Sequence, residues 1–193
     1  MNNRIATSDI LVGVNGTGKT TFLHENIVNS LSKKGERILI ITNADNTDWK
    51  DVKFLEDFKE METFTGIRKM TYKKGRLEKI QQYYSKGVLI LDDCRLYIQL
   101  QTTDFMNWLQ VLRRHVGIDL FCVFHGLTQV PPIFFTFSSN LILFHTLDNI
   151  KRRGLYIEEY LFNEIQAKKA KVLNEVNNGN KYHFEIIKLD KRL

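Results

Sequence analysis

The chain has 193 residues, a length that fits one domain and can bury a single hydrophobic core. Hydrophobic side chains make up 43% of it and charged ones 26%, with only two prolines, which excludes a disordered chain and a collagen. The net charge of +6 permits a polyanionic partner but does not require one. Cys94 and Cys122 lie inside or beside apolar runs, which indicates buried thiols and no disulfide framework.

We expect a cytosolic protein without a membrane segment. The first ten residues lack the apolar run of a signal peptide. Residues 120–147 contain no Asp, Glu, Lys or Arg, but a glycine, two prolines and several polar residues interrupt them. They therefore predict two buried strands joined by a polar turn, and no membrane span.

Short apolar runs alternate with helical segments along the chain. Strands are predicted at residues 10–12, 38–42, 88–91, 118–124 and 141–144. Helices are predicted after the first strand, where Leu23, Ile27 and Leu31 share one face, and then at residues 54–61, 76–86 and 105–115. This alternation predicts an α/β fold with a mostly parallel sheet that carries helices on both faces.

The last part of the chain predicts one more helix and one more strand. A long basic helix covers residues 157–176, and Tyr182, Phe184 and Ile186 then alternate with polar residues in a half-exposed strand. We expect a single domain over residues 1–193, with a core at about 8–150 and a C-terminal extension at 151–193.

The strongest motif is a glycine-rich loop at residues 13–20, here called the phosphate loop. It matches G-x-x-x-x-G-K-[ST] and lies between a predicted strand and a predicted helix, as the motif requires. Such a loop points backbone amides at phosphate oxygens, with Lys19 on the β- and γ-phosphates and Thr20 on Mg²⁺. The predicted nucleotide-binding residues are Gly13, Asn15, Gly16, Thr17, Gly18, Lys19, Thr20 and Thr21.

A second motif is the apolar strand at residues 88–91, which ends in Asp92 and Asp93. Ligands of open α/β sheets bind beyond the carboxyl ends of the strands. Asp92 is predicted to hold the metal, and Asp93 stands where a general base could activate water. The alternative is that the two carboxylates only cap the next helix or begin a turn.

Weaker signals follow in the second half of the chain. Gln129, and after it His125, could contact the γ-phosphate from just beyond the fourth predicted strand. Arg113 and Arg114 end the preceding helix at the opposite edge of the sheet, so they could act as an arginine finger only on a neighbouring subunit. Taken alone, each of these residues is compatible with a purely structural role.

In this order the motifs resemble the FtsK/HerA superfamily of DNA-pumping P-loop ATPases. The likeness spans residues 8–150 and includes Arg114-His115-Val116-Gly117 and Thr128-Gln129. It implies a P-loop NTPase sheet of strand order 5-1-4-3-2, ATP and Mg²⁺ as cofactors, and metal binding by Asp92. It also implies Asp93 as base, Gln129 as sensor, and Arg113 or Arg114 as trans-acting finger. The family more often has glutamate at the position of Asp93.

The small members of that superfamily imply a function for this chain. They are genome-packaging ATPases, which implies a homo-oligomeric ring, pentameric or hexameric, that pumps double-stranded DNA into a capsid. A capsid vertex or portal protein is the implied further partner, and the host cytoplasm or the virion is the implied location.

Three other functions stay open on the sequence. Zonula-occludens-toxin-like ATPases of filamentous phages have the same motif order, but usually carry a membrane span that is not visible after residue 147. A small P-loop kinase would need an arginine-bearing lid, for which residues 151–153 are candidates. A nucleotide-dependent scaffold without catalysis would need Lys19 but not Asp93.

Overall fold

The structure is a computed structural model, and it describes residues 5–43, 46–73, 75–95, 103–150 and 157–190. Its strands are β1 (Ser8–Val12), β2 (Ile38–Thr42), β3 (Ile67–Thr71), β4 (Gly87–Leu91), β5 (Ile118–Phe124), β6 (Asn140–Leu143) and β7 (Glu185–Lys188). Its α-helices are α1 (Lys19–Phe22), α2 (Asn29–Ser32), α3 (Arg76–Tyr83), α4 (Thr103–Gln110), α5 (Pro132–Phe137) and α6 (Glu159–Asn177). A π-helical stretch, Leu23–Val28, joins α1 to α2.

The described strands form one mostly parallel sheet of order β3-β2-β4-β5-β1-β6-β7. Parallel pairing joins β2 to both β3 and β4, and β1 to β6, whereas β7 runs antiparallel to β6. Every residue of β2, β4 and β5 is buried, as expected of strands covered on both faces. The α/β class is confirmed, and the five predicted strands keep the order 5-1-4-3-2, with β3 and β7 added at the two ends.

The chain divides into two compact units. The first consists of Met1–Thr7 with Thr20–Phe121, and its core includes β2, β4 and the buried Trp49. The second consists of Ser8–Lys19 with Cys122–Leu193, and in its core the rings of Phe124 and Phe134 meet edge to face at 5.4 Å. The single domain expected from the sequence stays a prediction.

The predicted helix at residues 54–61 is wrong over its first half. Phe54 instead forms a bridge to Lys69 of β3, and Leu55 donates its amide to the Lys69 carbonyl at 2.9 Å. Only Phe58–Glu62 is helical, as a 3-10 helix. The buried Lys69 amine donates to the Trp49 carbonyl at 2.6 Å. Strand β3 therefore buries a lysine at a position where an apolar residue would have indicated a strand in the sequence.

Two other predictions for the middle of the chain need correction. Residues 120–147 are not two strands joined by a polar turn, because helix α5 lies between β5 and β6. The helix expected at residues 105–115 ends at Gln110 and is followed by a separate 3-10 turn, Leu112–Arg114. Among the described residues, no helix is long and apolar enough to cross a membrane.

The last strand is held by a buried carboxylate. The predicted half-exposed strand exists, but it begins at Glu185 and turns that residue inward, while Ile186 is 50% exposed. Lys168 and Lys171 of α6 and the ring of His183 lie 2.6, 2.5 and 3.1 Å from the Glu185 oxygens. Burial alone would raise the pKa of Glu185, but hydrogen bonds from these three groups outweigh it and lower the pKa to about 2.

We predict that Glu185 stabilises the chain only when it is ionised. Because its pKa is lower in the folded chain than in the unfolded chain, its contribution is complete above about pH 5 and is lost as the pH falls toward 2. The free energy of unfolding of Glu185→Gln should therefore lie below that of the wild type at pH 7, and the two should converge at pH 2–3. Denaturant titrations at several pH values measure this difference, and a constant difference would contradict the prediction.

Candidate nucleotide-binding site

The phosphate loop joins β1 to α1, so the predicted strand-loop-helix context of the motif is confirmed. Gly16 and Gly18 have φ angles of +75° and +93°, a backbone region in which glycine is not strained. A β-carbon on Gly13 would lie only 2.6 Å from that of Phe144, so the chain requires glycine there for a close approach. The loop conformation therefore depends on the two motif glycines, Gly13 and Gly18, and on Gly16 between them.

The lysine of the loop is folded back onto the loop itself. Lys19, only 7% exposed, donates from Nζ to the carbonyls of Gly13 at 2.7 Å and Val14 at 2.9 Å. The hydroxyl of Thr17 donates to the same Val14 carbonyl at 2.8 Å. A buried ammonium group at this position supplies a positive charge at the centre of the loop, where phosphate oxygens could replace the carbonyls.

The loop that carries Gln129 belongs to the same unit as residues 13–19. It follows β5 as a 3-10 turn, Leu127–Gln129, and the end of β5 accepts the Gly13 amide at the Phe124 carbonyl, 3.2 Å away. Gln129 accepts the His125 amide at its Oε1 at 3.3 Å, so its side chain turns back along its own loop.

Asp148 holds the loop that carries Gln129. It accepts the Thr128 amide at 2.6 Å, and a β-carbon on Gly126 would lie 2.8 Å from its Oδ2. The Thr146 hydroxyl donates to its other oxygen. Asp148 therefore fixes the loop without being part of any motif in the sequence.

In the first unit, the carboxylate of Asp92 is buried at the end of β4. It is 5% exposed, and its Oδ2 accepts the indole N–H of Trp49 at 2.7 Å and the amide of Asn46 at 2.8 Å. Burial raises the pKa of Asp92, and the charges of Asp48 and Asp93 act in the same direction, while the two hydrogen bonds oppose the rise. An acidic oxygen at this place is a suitable ligand for a divalent cation, which would restore the charged form.

Thr20 is connected to this carboxylate by a chain of hydrogen bonds. Its hydroxyl donates to Asp48 at 3.0 Å, the Asp48 amide donates to the side-chain oxygen of Asn46 at 2.8 Å, and Asn46 donates to Asp92. The two predicted metal ligands, Thr20 and Asp92, are therefore linked within one unit. Sequence reasoning missed Asp48 and Asn46, since nothing in the spacing of the residues after β2 identifies them.

Asp93 also has a partner from the segment that follows β2. The Asn43 amide donates to its Oδ2 at 2.9 Å, and its φ of +54° places it in the left-handed region that aspartate tolerates better than most residues. The side chain is half-buried, and so keeps access to water. These contacts are compatible with a base, a role that stays a prediction.

The two arginines occupy different environments. The 3-10 turn that contains them precedes β5, and residues Val116 and Gly117 accept the amides of Lys86 and Gly87 where β4 begins. They therefore lie beyond the amino end of β4, whereas Asp92 follows its carboxyl end, and the five residues of β4 between them span about 17 Å. Their action as a finger on a neighbouring subunit stays a prediction.

Arg113 does not suit that role. Its side chain is fully buried, and its Nη1 donates to the Ile118 carbonyl at 2.6 Å at the start of β5. A guanidinium group held inside its own chain cannot extend into a neighbour, so the prediction for Arg113 does not agree with the structure. Arg114 is half-exposed and is the remaining candidate. The lid candidates at residues 151–153 lie outside the described residues.

The comparisons with known proteins identify the fold. No protein-family model matches the sequence, and no curated protein sequence is significantly similar to it. The genome packaging NTPase B204 of Sulfolobus turreted icosahedral virus 2, in complex with sulfate, matches with a TM-score of 0.75 and 18% identity. That match covers 98% of this chain and 94% of B204. The fold is therefore that of a P-loop NTPase, as predicted.

Two further solved structures agree with this class. B204 of Sulfolobus turreted icosahedral virus, described as a DNA-packaging ATPase, has a TM-score of 0.69 and 15% identity over 98% of this chain and 96% of its own. The pCW3 conjugation coupling protein TcpA, with ATPgS, has a TM-score of 0.50 and 13% identity over 76% of this chain and 50% of its own. Within the P-loop class, the particular fold matched nearly end to end is that of the B204 packaging NTPases.

We predict that Asp92→Asn stabilises the chain without nucleotide. Because the pKa of Asp92 is raised in the folded chain, the ionised carboxylate costs stability above that pKa, and an amide oxygen can still accept from Trp49. The melting temperature at pH 7 should rise, and the gain should shrink toward pH 4. Asp93→Asn, which changes a half-exposed carboxylate, is the matched control. A lower melting temperature for Asp92→Asn would contradict this.

Proposed function

We propose that this chain is an ATP-driven DNA translocase, namely a viral genome-packaging ATPase that pumps double-stranded DNA into a capsid as an oligomeric ring. The observation that carries the proposal is the match with two B204 packaging enzymes over nearly the full length of both chains. It is supported by the intact phosphate loop and by a buried aspartate at the end of β4.

ATP is the proposed nucleotide, bound by its phosphates to the phosphate loop. B204 structures in complex with AMPPCP and with ATP-gammaS support ATP over a phosphorylated metabolite. On binding, Lys19 would exchange its contacts with the Gly13 and Val14 carbonyls for oxygens of the β- and γ-phosphates. Because the ammonium group is already at the loop, little reorganisation is required.

Thr20 and Asp92 are the proposed protein ligands of Mg²⁺. The donor set fits this ion, since it consists of a hydroxyl and a carboxylate oxygen, and the Thr20 proton is already donated to Asp48. The described residues contain no group of three or more His, Cys, Asp or Glu that could hold a metal. Mg²⁺ is usually bound by proteins through one or two side chains together with the phosphates. When bound, it would neutralise charge that develops on the phosphates.

Hydrolysis would then proceed by in-line attack of water on the γ-phosphorus. Asp93 would accept the proton of that water, Gln129 would orient it, and Arg114 of a neighbouring subunit would stabilise the charge on the transferred group. The burial of Arg113 supports Arg114 as the finger. A ring supplies each site with the arginine that its own chain keeps at the other edge of the sheet.

Double-stranded DNA and a capsid vertex or portal protein are the proposed partners, in the host cytoplasm or on the virion. The net charge of +6 is compatible with a polyanionic partner such as DNA. The lysines of α6 contribute less than their number suggests, because Lys168 and Lys171 are paired with Glu185 and Lys169 donates to the Asp148 carbonyl. DNA contacts would therefore come mainly from basic residues outside this helix.

We predict an ATPase whose specific activity depends on its own concentration and on DNA. Free phosphate should be released without any acceptor substrate, and the rate per chain should rise steeply with protein concentration because the finger comes from a neighbour. Duplex DNA should increase the rate further. A phosphate-release assay over a dilution series tests this, with Lys19→Ala as the inactive control. A specific activity independent of both variables would contradict the proposal.

Mixing two inactive variants tests the shared site. We predict that Lys19→Ala and Arg114→Ala each lose more than about 100-fold in ATPase rate, since an arginine finger contributes roughly 10³–10⁵ in rate. Mixed subunits should regain activity, because some interfaces then combine an intact phosphate loop with an intact finger. Arg114→Lys, which keeps the positive charge but not the planar guanidinium group, should retain only part of the wild-type ATPase rate. Wild-type activity of Arg114→Ala would exclude this residue as the finger.

A further inference from the structure

An exposed aromatic ring lies against the phosphate loop. A β-carbon on Gly18 would be 3.1 Å from Cδ1 of Tyr182 and 3.6 Å from its Cβ and Cγ, so the ring edge touches the loop backbone. Yet Tyr182 is 61% exposed, one of the more exposed large side chains in the described part of the chain. The ring therefore covers one side of the loop and presents much of its surface to water.

The position of this ring is fixed by the chain on both sides of it. Before Tyr182, the Asn180 amide donates to the Glu175 carbonyl of α6 at 2.9 Å. After it, the ring of Phe184 packs on that of Phe144 at 5.4 Å, and Phe144 is the residue that abuts Gly13. The segment that leads into β7 thus follows the loop from Gly18 back to Gly13, and the tyrosine is held at a defined place.

We propose that Tyr182 is the platform on which the nucleobase of ATP stacks. This rests on the proposed function, because it requires that the loop bind a nucleoside triphosphate. When the triphosphate of ATP lies on the loop, its ribose and base lie near the residues that border the loop. The ring of Tyr182 is a flat surface at that border. Nothing in the sequence motifs assigns this residue to the nucleotide.

The chemistry of the ring sets what it recognises. Stacking uses the π-face that every base has, so it adds affinity while discriminating weakly between bases. Lys181, whose Nζ lies over the ring at 5.7 Å from its centroid, adds a positive charge on one side of the ring plane. We therefore expect Tyr182 to distinguish a nucleotide from a bare phosphate chain, and ATP from GTP only slightly.

The test compares binding of ATP, GTP and inorganic triphosphate to the full chain, each with Mg²⁺, by calorimetry. Tyr182→Ala should raise the Kd for ATP and GTP by roughly 5- to 150-fold, the range that loss of one base stack gives. Its Kd for inorganic triphosphate should change less than about twofold, since that ligand has no base. Tyr182→Phe keeps the π-face and should bind all three like the wild type.

The outcomes separate this inference from the proposed function. Equal weakening of ATP and triphosphate by Tyr182→Ala would mean that the ring only supports the loop, and unchanged ATP binding would place the base elsewhere. Either result overturns the platform and leaves the ATPase proposal intact. Lys19→Ala should instead weaken every phosphate ligand. If the wild type binds neither ATP nor triphosphate, the proposed function fails as well.

Discussion

The hydrogen bond from the Trp49 indole to the buried Asp92 carboxylate determines how the first unit presents its acidic groups. A carboxylate this far from water requires donors, and it takes them from the segment after β2. That requirement fixes Trp49 and Asn46, and with them Asp48, whose carboxylate then meets the Thr20 hydroxyl. The ring of His24 on Trp49, at 4.3 Å, extends the cluster to the helical stretch after the phosphate loop. One buried acceptor thus organises both predicted metal ligands.

The parts of the fold that follow from local pattern were predictable, and the exceptions have identifiable causes. Continuous apolar runs marked β2, β4 and β5, because strands covered on both faces contain little else. Strand β3 was missed since Lys69 is buried by a contact with the Trp49 carbonyl, which no pattern within Ile67–Thr71 reveals. Strand β7 turns Glu185 inward because two lysines of α6 and the ring of His183 surround its carboxylate. In both strands, polar partners from elsewhere in the fold allow a charged side chain to be buried, which the sequence pattern alone does not predict.

The candidate site also contains residues that the sequence predicts and residues that it does not. The phosphate loop and Asp92 were predictable because their chemistry requires particular residues at fixed spacing in the chain. Asp48, Asn43 and Tyr182 were not, since each lies near a motif residue only through folding, at separations of 28, 50 and 164 positions. Spacing identifies the groups that are predicted to contact phosphate. The residues that hold or border those groups come from whichever segments the sheet brings together.

Arg113 and Arg114 show how far adjacent residues can differ in what they do. The sequence does not distinguish the two residues, because both are cations at the end of a predicted helix. In the fold, one guanidinium group is buried and donates to the carbonyl that begins β5, while the other is half-exposed at the same edge of the sheet. Burying a permanent charge is costly, so a buried arginine serves the chain that contains it. Arg114 lies beyond the amino end of β5 and keeps part of its surface open to solvent, so two neighbours of the same type in the sequence differ in what they can contact.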